Sequence, residues 1–150
     1  MWNGWGFIDY GEICNNITSF NSDICQIELN SATFDCVYSV SVIEHMHSHQ
    51  RKILWNRIGQ WVKDSGILLL TLDLIPNTNL LWNYCEGNLV DSSEHGDIDM
   101  IHKEVKNDGF VLDDFKVLRL SSDSMTDIAF LCFKKLANDN IIVTSHKDTM

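Results

Sequence analysis

Two apolar runs with an amphipathic stretch between them organise the chain. Residues 34–42 (FDCVYSVSV) are rich in aromatic and β-branched side chains, and residues 67–72 (ILLLTL) are an unbroken apolar run. The first predicts a strand; the second predicts a strand buried on both faces, as in parallel sheets. Residues 47–64 (HSHQRKILWNRIGQWVKD) set Leu54, Ile58, Trp61 and Val62 at the i, i+4, i+7, i+8 spacing of one helical face, and Gly66 follows as a stop signal. A strand, a helix and a strand of this length make a right-handed crossover, which leaves the two strands parallel.

A second helix is predicted over residues 97–106, with Ile98, Ile101 and Val105 on one face, acids in the first turn, lysines towards the end and Gly109 beyond. Residues 109–120 and 127–136 then read as two strands joined by the polar turn 121–126, hence an antiparallel pair. Before residue 34 the pattern yields one short strand, residues 17–20, and the first twelve residues have no clear period. No repeat or Pro/Gly/Ser-rich linker divides the chain, and its one proline, Pro76, follows the longest apolar run. The expectation is a single α/β domain over residues 1–136 with a polar tail at 137–150.

Composition narrows the class. An apolar fraction of 45% with five tryptophans excludes intrinsic disorder, and no apolar run is long enough to cross a bilayer. The opening MWNGWGFIDYGE lacks the basic start, apolar stretch and cleavage site of a secretory signal, so a cytoplasmic protein without membrane partners is expected. A formal charge of −10 disfavours nucleic acid as a partner, since binding a phosphate backbone needs a basic face. Arg51, Lys52, Arg57 and Lys63 are read as a solvated helix face. The five cysteines form no CxxC pair, and several lie within apolar runs, so they read as reduced, small core residues.

"SDI" (Ser22, Asp23, Ile24), "FDCVYSVSVIEHM" (34–46) and "LWNRIGQWVKDSGILLLTLDL" (54–74), followed by the closing strand pair, resemble in that order the C-terminal two-thirds of class I S-adenosylmethionine-dependent methyltransferases of the type 11 kind. The resemblance implies a partial Rossmann-like sheet, parallel strands with a C-terminal antiparallel pair, and S-adenosylmethionine as cofactor. Ligands of open α/β sheets bind beyond the carboxyl ends of the strands. By the resemblance, Asp23 and Ile24 contact the adenine, and Ser39, Val40 and Ser41 line the floor beside the methionine part. Methyl transfer asks mainly for alignment of a nucleophile behind the methyl group, and Glu44 and His45 are the titratable candidates for a general base. The acceptor expected is a small molecule, a sugar or a lipid. Trp82 and Tyr84 fall where such enzymes shape the acceptor site.

One departure stands out. The acidic residue and GxGxG loop that open this family are missing, and Gly4 and Gly6 make only a GxG with no strand before it. A truncated or eroded methyltransferase is the expectation, with the strand at 34–42 left as an exposed edge that invites self-association. Two alternatives accompany it. One is a non-catalytic binding or scaffold protein built on the same fold. The other is a metal-binding protein using Glu44, His45, His47 and His49, whose side chains suit first-row metals but have no partner pair elsewhere at ligand spacing.

Overall fold

A computed structural model describes residues 9–82, 84–85, 88–89, 95–120 and 125–137. The strands are β1 (Phe34–Val40), β2 (Val62–Leu74), β3 (Tyr84–Cys85), β4 (Asn88–Leu89), β5 (Phe110–Leu118) and β6 (Asp127–Lys135); the helices are α1 (Ser48–Trp61) and α2 (Ile98–Asn107). Single 3-10 turns lie at Tyr10–Glu12 and Ile43–His45. The main sheet has the order β1-β2-β6-β5, and among the described residues β3 pairs with β4 in a separate two-stranded sheet. β1 and β2 run parallel, while β6 is antiparallel to both β2 and β5. This is the α/β sheet expected from the pattern, with its antiparallel C-terminal pair. No helix among the described residues is long and apolar enough to cross a membrane.

The helices form where their periodicity placed them. Leu54, Ile58 and Trp61 of α1 and Ile98, Ile101 and Val105 of α2 are buried against one face of the sheet. Asp97 caps α2, its carboxylate accepting from the Met100 N–H at 2.8 Å, and Lys106 lies in the last turn, both suited to the helix dipole. Lys135 donates to the carbonyls of Gly59 (2.6 Å) and Val62 (2.7 Å), satisfying acceptors at the carboxyl end of α1.

Four expectations need correction. The run at 67–72 is buried on one face only: Leu68, Leu70, Leu72 and Leu74 are in the core, whereas Ile67 and Leu69 are 38% and 41% exposed because nothing described lies over their side of the sheet. Arg51 is fully buried and is no part of a solvated stripe. It makes a two-point bond to Glu104 of α2 (2.9 and 2.8 Å) and donates to the Met46 carbonyl at 2.7 Å. Trp55 Nε1 donates to the same carboxylate at 2.9 Å, so Glu104 clamps the two helices together. Cys14 and Cys36 are exposed and Cys25 and Cys132 half-buried; Cys36 and Cys132 lie on the uncovered sheet face. Residues 17–20 form no strand, and Ile17 and Phe20 are exposed. Gly4, Gly6, most of the turn 121–126 and the tail 138–150 lie outside the described residues.

Candidate functional site

The parallel pair β1–β2 ends in a turn that gathers the chemistry. After Val40 the chain reverses at Ser41, whose φ of +48° is costly for a residue with a Cβ. Two bonds hold it there: the Ser41 N–H donates to the Thr71 carbonyl at 3.0 Å, and its hydroxyl lies 3.3 Å from Asp73 Oδ1. Strained backbone of this kind collects at sites where geometry matters. Val40, on the uncovered face, is 60% exposed, and Ser39 is half-buried.

Asp73 organises the floor of this end. Its N–H donates to Glu44 Oε1 at 3.2 Å, and its carbonyl accepts from the Trp82 N–H at 2.8 Å. Glu44 is fully buried at the turn after β1, and among the described residues its Oε2 has no hydrogen-bond partner. Burial pushes its carboxyl up to about 7, the backbone N–H bonds pull it partly back, and the Asp73 carboxylate raises it again. Near neutral pH this carboxyl therefore exchanges a proton inside the core. His45, the next residue, is exposed, and its ring meets Trp82 edge-on with centroids 6.0 Å apart.

The other sequence-derived candidates lie at the same end of the molecule. Cys25 Sγ is 3.8 Å from the Gln50 carbonyl in the first turn of α1, and α1 starts where β1 has ended. This brings the turn carrying Asp23 and the exposed Ile24 to the carboxyl end of the strands. Asp23 is engaged in its own turn, accepting from the Cys25 N–H (2.9 Å) and from Gln26 Nε2 (3.4 Å). The histidines do not converge as a metal site. His47 packs its ring on His49 and on His95, at 5.7 and 4.9 Å between centroids, and among the described residues no group of three or more metal-ligating side chains comes together.

Asp73 is the residue that sequence reasoning passed over. Its signal was readable: one acid interrupts the apolar alternation of β2 close to the strand's end, a position where an unpaired charge is costly. The side chains of Tyr84 and of the following segment to residue 90 lie outside the described residues.

Residues 9–70 match a family described as a methyltransferase domain. A SAM-dependent methyltransferase from Methanosarcina mazei superimposes with a TM-score of 0.59 at 12% identity, over 77% of this chain and 65% of that one. The fold is that of the class I methyltransferases. The [4+2]-cyclase SpnF superimposes on the chain with a TM-score of 0.62 at 12% identity over 84% of this chain and 59% of that chain. A Burkholderia thailandensis 1,6-didemethyltoxoflavin-N1-methyltransferase with bound 1,6-didemethyltoxoflavin and S-adenosylhomocysteine also superimposes, with a TM-score of 0.59 at 11% identity over 79% of this chain and 50% of that one. The chain thus spans less than two-thirds of the length of these methyltransferase-fold proteins. No curated protein matches the sequence.

Proposed function

We propose that the chain builds the carboxyl-end portion of an S-adenosylmethionine-dependent methyl-transfer site, with a small molecule, sugar or lipid as acceptor. The observation that carries this reading is the Ser41 turn, strained and pinned to Asp73 at the ends of two parallel strands, where open α/β sheets receive their ligands. The bound Burkholderia relative supports the choice of cofactor.

The residues present suit such a group. Ile24 is 41% exposed and can cover an adenine ring, and Asp23 keeps lone pairs for its exocyclic amine beyond the two bonds it already accepts. Ser39, Val40 and Ser41 form the floor for the methionine part. The cofactor would supply an activated methyl group, and the chain's own work is to align the acceptor and take its proton. His45 is placed for that proton, exposed at the mouth and braced by the Trp82 ring. Glu44 acts beneath it as a positioning residue, since its carboxyl is buried and bonded to the backbone of Asp73.

A second reading, a non-catalytic binding protein on this fold, is favoured by the engagement of Asp23 in its own turn. Titration calorimetry with S-adenosylhomocysteine separates the two. The methyltransferase reading expects saturable binding, weakened about tenfold in Asp23→Ala by loss of a charge-assisted bond. It also expects His45→Gln to retain binding while losing transfer to an acceptor. Folded protein that takes up no cofactor would leave the binding-protein reading standing.

A further inference from the structure

Two buried polar atoms near the Ser41 turn have no hydrogen-bond partner among the described residues, Glu44 Oε2 and Thr71 Oγ1. Buried polar groups are ordinarily bonded, so each of these calls for an explanation. Thr71 is paired with Val40 across the parallel strands, and its carbonyl accepts from the Ser41 N–H. Glu44, three residues after Ser41, has only Oε1 engaged, by the Asp73 N–H. The Asp73 carboxylate in turn meets the Ser41 hydroxyl at 3.3 Å. Both residues with an unpartnered atom therefore border the floor proposed for the methionine part of the cofactor.

Charge is the second feature of this corner. Glu44 and Asp73 lie close enough that the Asp73 carboxylate acts on the Glu44 carboxyl. No lysine or arginine is paired with either among the described residues, and Arg51, in the first turns of α1, is already bonded to Glu104 and to the Met46 carbonyl. The other titratable groups at this end are imidazoles. His45 is exposed with its ring against Trp82, and His47 stacks between His49 and His95. Buried negative charge without a cation is costly, and a positive charge brought to this corner relieves that cost.

We infer that Glu44 and Asp73 make the site selective for charge, so that it holds a sulfonium in preference to the uncharged thioether of the same ligand. The inference rests on the proposed S-adenosylmethionine site and adds to it. S-adenosylmethionine and S-adenosylhomocysteine differ only by a methyl group and its positive charge, and a corner lined by neutral groups would treat them nearly alike. Asp73 supplies one negative charge, and Glu44 supplies a second as its proton leaves, its carboxyl being pushed up to about 7 by burial. Raising the pH through that value ionises Glu44, which strengthens binding of the cation and leaves the neutral thioether little changed. Binding the cation near that pH in turn drives a fraction of a proton off Glu44. One charge acting on another across about 10 Å at an effective dielectric of about 20 changes an affinity about tenfold.

Titration calorimetry with S-adenosylmethionine and with S-adenosylhomocysteine tests it through the ratio of the two affinities, in which any loss of fit common to both cancels. Glu44→Gln keeps the shape of the side chain and an acceptor for the Asp73 N–H. The ligands' own amino groups titrate alike with either protein, so the difference between wild type and variant isolates the carboxyl. Relative to Glu44→Gln, the wild-type preference for the sulfonium should rise about fivefold from about pH 6 to about pH 8. Buffers of different ionisation enthalpy should show more protons released with the sulfonium than with the thioether, and this excess should vanish in the variant. Asp73→Asn, the second variant, should lower the preference about tenfold throughout. A preference with the same pH dependence in wild type and Glu44→Gln, or one untouched by Asp73→Asn, overturns the inference and leaves the cofactor site standing. Folded protein that binds neither ligand overturns both.

Discussion

The two faces of one sheet make the informative comparison in this molecule. Along β2 the side chains alternate, yet both sides are apolar: Leu68, Leu70, Leu72 and Leu74 turn towards α1 and α2, Ile67 and Leu69 turn away. The covered side is locked by more than apolar contact, because Glu104 ties α1 to α2 through Arg51 and Trp55. The bare side carries Ile67 and Leu69 but also Thr71 and Asp73, and has no described cover. Composition therefore sets what a face can do, and the neighbours decide whether it becomes core or surface.

The sharpest way to break the covered side is Glu104→Ala. It removes the acceptor of a fully buried guanidinium and of an indole N–H, and should cost about 3–5 kcal/mol, as for breaking a buried ion pair. Chemical denaturation gives the number; a loss below about 1 kcal/mol would mean that the clamp is ornamental. Next comes the pair Leu70→Ala and Leu69→Ala, adjacent in β2 and on opposite faces. Leu70→Ala should cost about 2–5 kcal/mol, whereas Leu69→Ala, measured in dilute solution, should cost less than about 1 kcal/mol. Equal losses would show the bare face to be covered.

Glu44 sharpens the comparison by pH. Its folded carboxyl is pushed up to about 7 from an ordinary 4.5, so the folded protein holds a proton that the unfolded chain has released between those values. Its contribution is complete below about pH 4.5, declines as pH rises towards 7, and is then lost, by an amount on the order of 3 kcal/mol. Glu44→Gln, which keeps an acceptor for the Asp73 N–H, should flatten that part of the stability profile. Denaturation of both proteins from pH 4.5 to 8 reads the difference; parallel profiles would place the titration elsewhere.

Local pattern made the elements legible. The helical spacing of Leu54, Ile58 and Trp61, the Asp97 and Lys106 placement in α2 and the antiparallel pair β5–β6 all follow from nearest-neighbour chemistry, and the structure has them. What local pattern could not carry was partnership across the chain. An arginine four residues from a tryptophan reads as helix surface until a glutamate 53 residues on arrives between them. Glu44 resembled a candidate ligand because no periodicity reveals that its carboxyl points inward at Asp73. The cysteines misled for the same reason as residues 67–72: apolar surroundings in sequence say nothing about which sheet face has a cover.

The smallest expected effect compares two strained serines. Ser65, with φ of +63° in the exposed, irregular stretch of β2 between the paired residues Val62 and Ile67, has the backbone that glycine adopts most easily, and Ser41 has nearly the same conformation at +48°. Left-handed backbone costs a non-glycine residue about 1–2 kcal/mol, partly offset in a glycine variant by the looser unfolded chain. Ser65→Gly should then gain about 0.5–1 kcal/mol, a rise of about 2–4 °C per kcal/mol for a domain of this size. Ser41→Gly relieves similar strain but gives up the hydroxyl contact to the half-buried Asp73, so its stability should change little. Cofactor affinity separates them further: Ser65→Gly should leave it untouched, while Ser41→Gly loosens the turn on which the site depends. If both serines respond alike in stability and in binding, the strain at Ser41 belongs to the fold and the candidate site loses its main support.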